Sequence, residues 1–568
     1  MSASEAPQAP APEPMTGGQA LARQLAREGV RDIFGVPGVQ LDWAVDALAG
    51  MQDTLRLFVP RHEQATTYMA DGYARAGARV GVSMVVPGPG MLNALSGLAT
   101  GYACSARMLF LAAQIPSDKI GLGLGMLHEL PDQTGILRSL VKWHGLAEEP
   151  QAVAHTVRSA MARLQHGRPR PVGVEIPQDV LQRTRAVALA HVPPAPAPEA
   201  GDPARVERIA QLLRGARLPV IVAGGGIVAA GASAALARLA QRLQAPVLVT
   251  ENGTGALPSH DPLALTWLAS RALLPHADVV LAVGTRFIEP HGAPPRLRAG
   301  ARLVLVNADA QDLGAPRAAT IGLQADARAA LDALLSALDG HRAKHDPTPH
   351  MQALRDWSDR LLADIAPQCA WLHALRSAIP DDGFLVSDLT QVGYPAHLGY
   401  PVREPGTFLG AGYQGTLGYA YPTALGVAAA QPGRAVVAIA GDGGFGWSLQ
   451  ELATARRYQL PVVAVVFNNE AFGNVRLLQQ RQFGRHYATE LTNPDFVQLA
   501  KAFGVDGARV DHPAALAGAL ASAIAARRPA LIEARIGDCP SPWHLIRGSA
   551  PVHPNPLGEP AQIEGDTP

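Results

Sequence analysis

Short, uniformly apolar runs recur along this 568-residue chain and limit its possible folds more than any other feature. Examples are RVGVSMVV, PVIVAGGG, DVVLAVGT, RAVVAIAGDG and PVVAVVFNN, which alternate with stretches rich in alanine and leucine. A strand that is apolar on both faces suits a parallel sheet covered by helices on both sides. Because the chain is too long for one hydrophobic core, the pattern predicts an α/β protein with three doubly wound parallel-sheet domains.

Two proline-containing stretches without sustained periodicity divide the chain into three blocks. The predicted organisation is a disordered leader at 1–15, a first α/β domain at 16–186, a linker at 187–203, a central Rossmann-like domain at 204–339, a linker at 340–352, a third α/β domain at 353–548 and a C-terminal tail at 549–568.

The charge balance bears on the class of partner. The 48 basic and 48 acidic residues give a formal net charge of zero, which argues against nucleic acid or an anionic membrane as the main partner. No apolar run approaches the roughly 18 to 20 residues of a membrane helix. The three cysteines are widely separated, with no CxxC pair. These features predict a cytoplasmic protein with reduced cysteines.

The stretch GDGGFGWSLQELATARRYQLPVVAVVFNN, residues 441–469, is the most informative motif. We interpret it as a strand, a tight turn, a helix and a second parallel strand, so that Asp442 and Asn469 face one crevice at the carboxyl ends of the strands. Carboxylate, amide and carbonyl oxygens suit Mg²⁺ or Ca²⁺. Gly441, Gly443 and Gly444 allow backbone amides to approach a diphosphate closely. The alternative is an ordinary surface turn followed by an ordinary strand end.

This spacing resembles the signature of thiamine-diphosphate-dependent enzymes. The resemblance implies thiamine diphosphate and Mg²⁺ as cofactors, with the backbone carbonyl of Ala471 as a further metal ligand. It also implies that the first domain binds the pyrimidine ring and the third binds the diphosphate. RHEQ…ADGYAR and GPGMLNA resemble elements of acetolactate synthase-like enzymes. By that match Glu63 is catalytic and contacts the cofactor, protonating its aminopyrimidine ring. The alternative is a glutamate that merely favours a helix N-terminus.

Further segments extend the resemblance to residues 20–540. In AGYQGTLGYAYPTALG, Leu417 would lie beneath the bent cofactor and the carbonyl of Gly415 would accept a hydrogen bond from its amine. Gln391, in SDLTQVG, occupies a turn that contacts the diphosphate in this family. The resemblance further implies a homo-oligomer, a dimer or a tetramer, with each active site between two subunits.

The substrate pocket departs from the synthases. In LHELPDQTG, His128 and Glu129 replace their Phe-Gln pair, and we predict catalytic roles for both. Asn474 and Leu478 replace the methionine and tryptophan that contact the acceptor, whereas Arg286 matches the arginine that binds its carboxylate. The alternatives are a surface-loop histidine and a solvated arginine.

The expected activity is decarboxylation of a small 2-oxo acid with carboligation to a second carbonyl compound. Because the proton donors of simple decarboxylases are absent from their usual positions, carboligation is favoured. A benzoylformate decarboxylase-like enzyme remains the alternative. The central AGGGIVAAGA stretch also allows a flavin or nicotinamide oxidoreductase. Since the segments that contact FAD in the synthases are shortened or altered, we predict that FAD is absent. A non-catalytic binding protein is the least favoured reading.

Overall fold

The computed structural model describes residues 11–77, 79–289, 292–317, 319–343, 346–547 and 555–558. They form two compact units. The first comprises the described residues of Met1–Pro196 together with Tyr421–Gly433 and Ser448–Val462. The second comprises Ala197–Ala420, Arg434–Trp447 and the described residues of Val463–Pro568. Two segments of the third sequence block therefore belong to the first unit.

The first sequence block contains a six-stranded sheet flanked by helices. Its strands are β1 (Glu13–Thr16), β2 (Asp32–Gly35), β3 (Arg56–Phe58), β4 (Gly81–Val85), β5 (Met108–Gln114), β6 (Trp143–Leu146), β7 (Val172–Pro177) and β8 (Thr184–Val187). Its helices are α1 (Gly17–Arg27), α2 (Asp42–Ala49), α3 (Glu63–Gly77), α4 (Pro89–Cys104), α5 (Gln133–Arg138), α6 (Pro150–Gln165) and α7 (Gln178–Gln182). The sheet is parallel with the order β3-β2-β4-β5-β7-β6, and β1 pairs separately with β8 in antiparallel register.

Strand β5 shows why the apolar runs predict a sheet covered on both faces. Leu109 and Leu111 lie in one buried cluster, whereas Phe110 and Ala112 lie in another. Successive side chains of a strand point to opposite faces, so both faces of β5 are packed against other elements.

The central block repeats this plan within the second unit. Its strands are β9 (Pro219–Ala223), β10 (Val247–Val249), β11 (Ala264–Leu265), β12 (Val279–Val283), β13 (Arg302–Asn307) and β14 (Ile321–Gln324). Its helices are α8 (Pro203–Gly215), α9 (Gly225–Ala229), α10 (Ser233–Leu243), α11 (Ser270–Leu273) and α12 (Ala327–Ala337). The parallel order is β11-β10-β9-β12-β13-β14.

The third block contains the third sheet. Its strands are β15 (Phe384–Ser387), β16 (Phe408–Gly410), β17 (Val436–Gly441), β18 (Val462–Asn468), β19 (Asp506–Val510) and β20 (Ala530–Arg535), in the order β16-β15-β17-β18-β20-β19. Its helices are α13 (Thr348–Leu362), α14 (Ala366–Ala378), α15 (Gly393–Gly399), α16 (Ala420–Ala430), α17 (Asp442–Phe445), α18 (Leu452–Tyr458), α19 (Gly473–Phe483), α20 (Phe496–Ala502), α21 (Pro513–Ala526) and α22 (Trp543–Ile546). The predicted α/β fold with three parallel sheets is confirmed.

The structure differs locally from the sequence prediction in two places. The predicted leader falls mostly on residues 1–10, outside the described residues, but its last residues lie in β1, because Glu13–Thr16 pairs with β8 and buries Met15. Helix α13 begins inside the predicted second linker. The predicted tail is described only at 555–558. The domain boundaries themselves stay predictions.

The single helix expected after the GDGG turn is divided into three parts. α17 ends at Phe445, a 3₁₀ turn covers Leu449–Glu451, and α18 follows directly. Strands β17 and β18 on either side are neighbours in the sheet, as expected of a parallel βαβ unit. Among the described residues, no helix combines the length and the apolar character that crossing a membrane requires.

Candidate active site

The GDGG turn places Asp442 at the carboxyl end of β17, as the first residue of α17. Its side chain is buried, and this burial raises the pKa of Asp442, although hydrogen bonds from Asn493 and from backbone groups including Ala471 lower it. A methyl group on Gly443 would lie 2.7 Å from the ring of Phe472, so this glycine lets the loop after β18 approach the turn.

The two asparagines at the end of β18 have different surroundings. Asn468 is buried: its Nδ2 donates to Glu533 Oε1 (2.8 Å) and its Oδ1 accepts from the backbone N–H of Glu470 (3.1 Å). The amide of Asn469 lies beside Gln391, because a methyl group on Gly473 would be 2.6 Å from Asn469 Nδ2 and 2.8 Å from Gln391 Nε2. Asn468 therefore fixes the strand end, and Asn469 remains the predicted metal ligand.

A second segment holds the loop that follows the asparagines. Ala471 forms a bridge with Glu490, and the backbone N–H of Phe472 donates to the carbonyl of Thr489 (2.8 Å). Glu470 has a left-handed backbone with φ of 54°, which is unusual for a residue with a side chain. These constraints bring Ala471 to Asp442.

Asn493 is a residue that the sequence analysis missed. Its Nδ2 donates both to Asp442 Oδ2 (2.7 Å) and to Asn468 Oδ1 (3.0 Å), so one amide joins the two ends of the βαβ unit. Nothing in the local sequence LTNPD indicates this role, because Asn493 is far from both partners along the chain.

This donor set fits a hard divalent cation. The described residues contain no cluster of three or more His, Cys, Asp or Glu side chains that could hold a metal. A metal at this turn would therefore combine one carboxylate, from Asp442, with an amide oxygen of Asn469 and the carbonyl of Ala471. All three are oxygen ligands of the kind that Mg²⁺ prefers.

Asp388, also missed, lies beside the same turn at the end of β15. Its Oδ1 accepts the backbone N–H of Ala420 at 2.8 Å, and a methyl group on Gly444 would lie 3.2 Å from its Oδ2. Oδ2 is buried without a partner among the described residues. Leu417 and Gly415 precede Ala420, and Gly415 has a left-handed φ of 57°. Leu417, 37% exposed, lies near Gly444, and its place beneath a cofactor stays a prediction.

Burial raises the pKa of Asp388 to about 7, although backbone hydrogen bonds from residues 418–420 lower it. The folded chain therefore binds a proton that the unfolded chain, with an ordinary pKa of 3.8, has released. This contribution to stability is complete below the unfolded pKa and is lost as the pH rises through the folded one.

We expect Asp388→Asn to gain thermal stability relative to the parent chain as the pH rises from about 4 to about 8. The measurement is a series of melting temperatures on apoprotein in chelator. Asp511→Asn, at an exposed position, is the control and should show no such trend. A pH-independent difference between Asp388→Asn and the parent would contradict the assignment.

In the first unit, Glu63 is the first residue of α3. Asn93 Nδ2 donates to Glu63 Oε2 at 3.0 Å, and a methyl group on Gly90 would be 3.7 Å from Oε1. The GPG turn at the start of α4 therefore lies against the predicted proton donor. Asn93 belongs to the quoted GPGMLNA element, but its contact with Glu63 was not anticipated.

A buried polar network fixes that turn. Gln133 Oε1 accepts the backbone N–H of Gly88 (2.9 Å), and its Nε2 donates to Glu175 Oε1 (2.7 Å). Glu175 Oε2 in turn contacts His144 Nε2 and Thr134 Oγ1, each at 2.6 Å. Burial acts to raise the pKa of Glu175, but these hydrogen bonds outweigh it and the pKa is lowered.

His128 and Glu129 lie on the loop beside this turn. The carbonyl of His128 occupies the space where a methyl group on Gly88 would be (2.5 Å). His128 has a left-handed φ of 68°, and its buried Nδ1 has no partner among the described residues. The carboxylate of Glu129 accepts backbone N–H groups of Met126 (2.8 Å) and Leu124 (3.3 Å), which lower its pKa. Both catalytic assignments stay predictions, and Glu129 is already engaged in holding its loop.

The three predicted substrate contacts are in the second unit. The guanidinium of Arg286 lies over the ring of Tyr413, 5.1 Å from the ring centroid. Tyr413 is two residues before Gly415 in the chain. Leu478 is half-buried on α19. Both ends of the Asn474 amide are engaged, with Nδ2 donating to the Tyr394 hydroxyl (3.2 Å) and Oδ1 accepting from Trp543 (2.7 Å). Their substrate roles stay predictions.

The central glycines have a packing explanation. A methyl group on Gly224 would lie 2.2 Å from the carbonyl oxygen of Gly284, and one on Gly226 would lie 2.6 Å from its Cα. The turn after β9 therefore needs glycine to pack against the turn after β12. The expected absence of FAD stays a prediction.

Comparison with known families agrees with these features. Residues 15–136, 206–334 and 388–534 match, respectively, the N-terminal TPP binding domain, the central domain and the C-terminal TPP binding domain of the thiamine pyrophosphate enzymes. The matched ranges contain Glu63, His128 and the whole GDGG…NN unit.

Curated relatives match over most of their length. The chain is 35% identical to the probable 2-ketoarginine decarboxylase AruI of Pseudomonas aeruginosa, covering 86% of this chain and 88% of the relative. It is 32% identical to the acetolactate synthase isozyme 3 large subunit of Escherichia coli, over 90% and 92% of the two chains. It is also 32% identical to a probable acetolactate synthase large subunit of Methanocaldococcus jannaschii, over 91% of each. With all three domains matched and both ends of its diphosphate motif in place, the chain belongs to the thiamine pyrophosphate-dependent enzymes and resembles the acetolactate synthases among them.

Proposed function

We propose that the protein decarboxylates a small 2-oxo acid with thiamine diphosphate and Mg²⁺, and joins the product to a second carbonyl compound. The observation that carries this proposal is the buried Asp442, held between the GDGG turn and the loop 468–473 by Asn493 and Ala471. When bound, thiamine diphosphate would supply the nucleophilic carbon and the electron sink that decarboxylation of a 2-oxo acid requires.

The chain's own residues have separate tasks in this proposal. Asp442, Asn469 and Ala471 hold the metal, and Gln391 with the glycines of the turn binds the diphosphate. Leu417 would pack against the cofactor. Glu63 holds a proton at the pyrimidine ring, oriented by the hydrogen bond from Asn93.

The side chain of the 2-oxo acid is the part of the proposed substrate that the observations constrain least. One relative is named for 2-ketoarginine and others for acetolactate synthesis. The loop at 128–129 offers a histidine, instead of an aromatic side chain, whose buried Nδ1 has no hydrogen-bond partner within the described part of the chain. We infer a polar 2-oxo acid as donor, with Arg286 as the group that binds the carboxylate of an acceptor.

Simple decarboxylation is the second candidate, since a specific observation favours it. Both ends of the Asn474 amide are engaged, by Tyr394 and Trp543, which reduces the hydrogen-bonding capacity that this residue can offer to an acceptor. An enzyme of this kind would release the aldehyde after protonation, for which His128 is the candidate proton donor on the loop 124–132.

The surface supports self-association. Large apolar side chains are exposed in both units; they include Val39, Trp43, Leu92, Leu122, Leu124, Leu127, Tyr413, Trp447, Val475 and Phe483. Where such side chains lie together on a surface, they are typical of interaction sites. We infer a dimer or tetramer in which Glu63 of one subunit serves the diphosphate site of another. Sedimentation showing a stable monomer in a fully active preparation would exclude this arrangement.

A product analysis tests the proposed function. The purified chain, with thiamine diphosphate and Mg²⁺, is incubated with pyruvate, 2-oxobutanoate, benzoylformate and 5-guanidino-2-oxopentanoate, alone and in pairs. We expect CO₂ release from at least one acid and a ligated product detected by mass. Aldehyde without ligated product would favour the second candidate, and no CO₂ from any acid would contradict both.

A further inference from the structure

We propose that Glu451 is a positioning residue that holds the turn in front of Glu63. This inference rests on the proposed role of Glu63 as the proton-holding residue. Glu451 belongs to the first unit, although in sequence it lies between Asp442 and Asn469. Its side chain is fully buried.

The contacts of Glu451 are directed at the chain that precedes α3. Both carboxylate oxygens lie 3.1 Å from the backbone nitrogen of Arg61, two residues before Glu63, and accept its N–H. Thr454, one turn further along, donates its hydroxyl to Glu451 Oε2 at 2.5 Å. The carboxylate is thus fixed by its own helix while it holds the backbone of the turn.

A second side chain from the same segment holds the other end of this turn. The backbone N–H of Val59 donates to the Tyr458 hydroxyl at 2.8 Å, and the ring of Tyr458 packs on Phe58 with centroids 4.8 Å apart. Glu451 and Tyr458 therefore hold residues 58–61, which connect the end of β3 to the start of α3, by hydrogen bonds and ring packing. The path of the backbone there determines where the side chain of Glu63 emerges.

Burying a carboxylate is unfavourable unless its hydrogen bonds are satisfied. Burial raises the pKa of Glu451, while Thr454 and the backbone of Arg61 and His62 lower it. A charged acceptor forms stronger and more directional hydrogen bonds to an N–H group than a neutral one does. This favours a role in fixing geometry, because an apolar side chain would fill the same space with no desolvation cost.

Small displacements of a catalytic group lower the reaction rate strongly, since a shift of about 1 Å can reduce the rate by about a hundredfold. Loss of the Glu451 carboxylate would free the Arg61 N–H and let the turn move. The stretch that carries the predicted metal ligands at its two ends would thus, through Glu451 between them, also set the position of Glu63.

A double-mutant cycle on the full-length holoenzyme tests this inference. We expect Glu451→Ala to lower kcat by about tenfold to a hundredfold, with thiamine diphosphate affinity in calorimetry changed by less than about threefold. Glu451→Gln keeps an oxygen toward Arg61 and should retain most of kcat. In a Glu63→Gln background, adding Glu451→Ala should alter the residual kcat by less than about twofold, because residues that act as a unit are not additive.

Glu28→Gln is the matched control. Glu28 is another buried carboxylate of the first unit, paired with Arg158 at 2.6 Å and away from the Glu63 turn. It should lower the melting temperature without lowering kcat. If Glu451→Ala fails to fold, Tyr458→Phe replaces it, with a several-fold loss of kcat expected that again disappears in the Glu63→Gln background.

The outcomes separate this inference from the proposed function. If Glu451→Ala lowers kcat equally in the parent and in the Glu63→Gln background, or does not lower it in the parent, the positioning role of Glu451 is overturned. The proposed catalytic role of Glu63 would then still stand. Parent-like turnover of Glu63→Gln would overturn both.

Discussion

Replacing Glu63 by glutamine is expected to lower kcat by about two to four orders of magnitude, the usual contribution of a positioned proton donor or acceptor. Glutamine keeps the shape of the side chain and can still accept the hydrogen bond from Asn93, but its amide cannot transfer a proton to a ring nitrogen. Cofactor affinity should change little, because the metal and diphosphate ligands lie elsewhere in the chain. The measurements are steady-state turnover of the accepted 2-oxo acid and calorimetry with thiamine diphosphate and Mg²⁺.

The control for Glu63 is a glutamate in a similar local setting. Glu149 is exposed and directly precedes α6, as Glu63 begins α3. A carboxylate at a helix N-terminus contributes only about 0.3 to 1 kcal/mol to stability. Glu149→Gln should therefore leave turnover unchanged. If Glu63→Gln behaved in the same way, Glu63 would be no more than a helix-terminal residue.

Asp442→Ala is expected to abolish retention of thiamine diphosphate, with binding in the presence of excess Mg²⁺ weakened by more than about a hundredfold. The substitution removes the one carboxylate of the predicted metal site. It also leaves the Asn493 amide and the backbone N–H of Ala471 without their acceptor. Calorimetric titration with cofactor, with and without Mg²⁺, measures the loss.

Glu470→Gln provides the matched control, because Glu470 is an exposed carboxylate on the loop that follows the asparagines. The affinity of Glu470→Gln for the cofactor should equal that of the parent. A parent-like affinity of Asp442→Ala would refute the metal assignment.

Mixing the inactive Glu63→Gln and Asp442→Ala chains tests the subunit arrangement. If sites are shared, a mixed dimer has one site with both residues intact, and activity should return.

Much of the fold could be predicted from the sequence because its physical cause is local. Runs such as PVIVA and VVAVVF are apolar at every position, and only a strand packed on both faces buries them completely. Asp442 and Asn469 were identified for a related reason, since residues at the carboxyl ends of neighbouring parallel strands share one edge of a sheet.

The loop that carries His128 and Glu129 shows where reasoning from the local sequence is insufficient. The sequence indicated a polar replacement at His128 and Glu129, but the engagement of Glu129 with Met126 and Leu124 depends on how the loop bends. Likewise, the Asn474 amide is engaged by Tyr394 and Trp543, which are 80 and 69 residues away along the chain.

The sequence alone determined the α/β architecture, the family and the position of the diphosphate motif, because each depends on residue types at short spacings. Only the tertiary structure decided which polar groups hold those residues in place. Asn493 donates to Asp442, and Asn93 donates to Glu63. Glu451 accepts from the backbone of Arg61, which is 390 residues away along the chain. Hydrogen bonds of this kind have no periodicity and follow from the packing of whole elements, so they emerge only once the chain has folded.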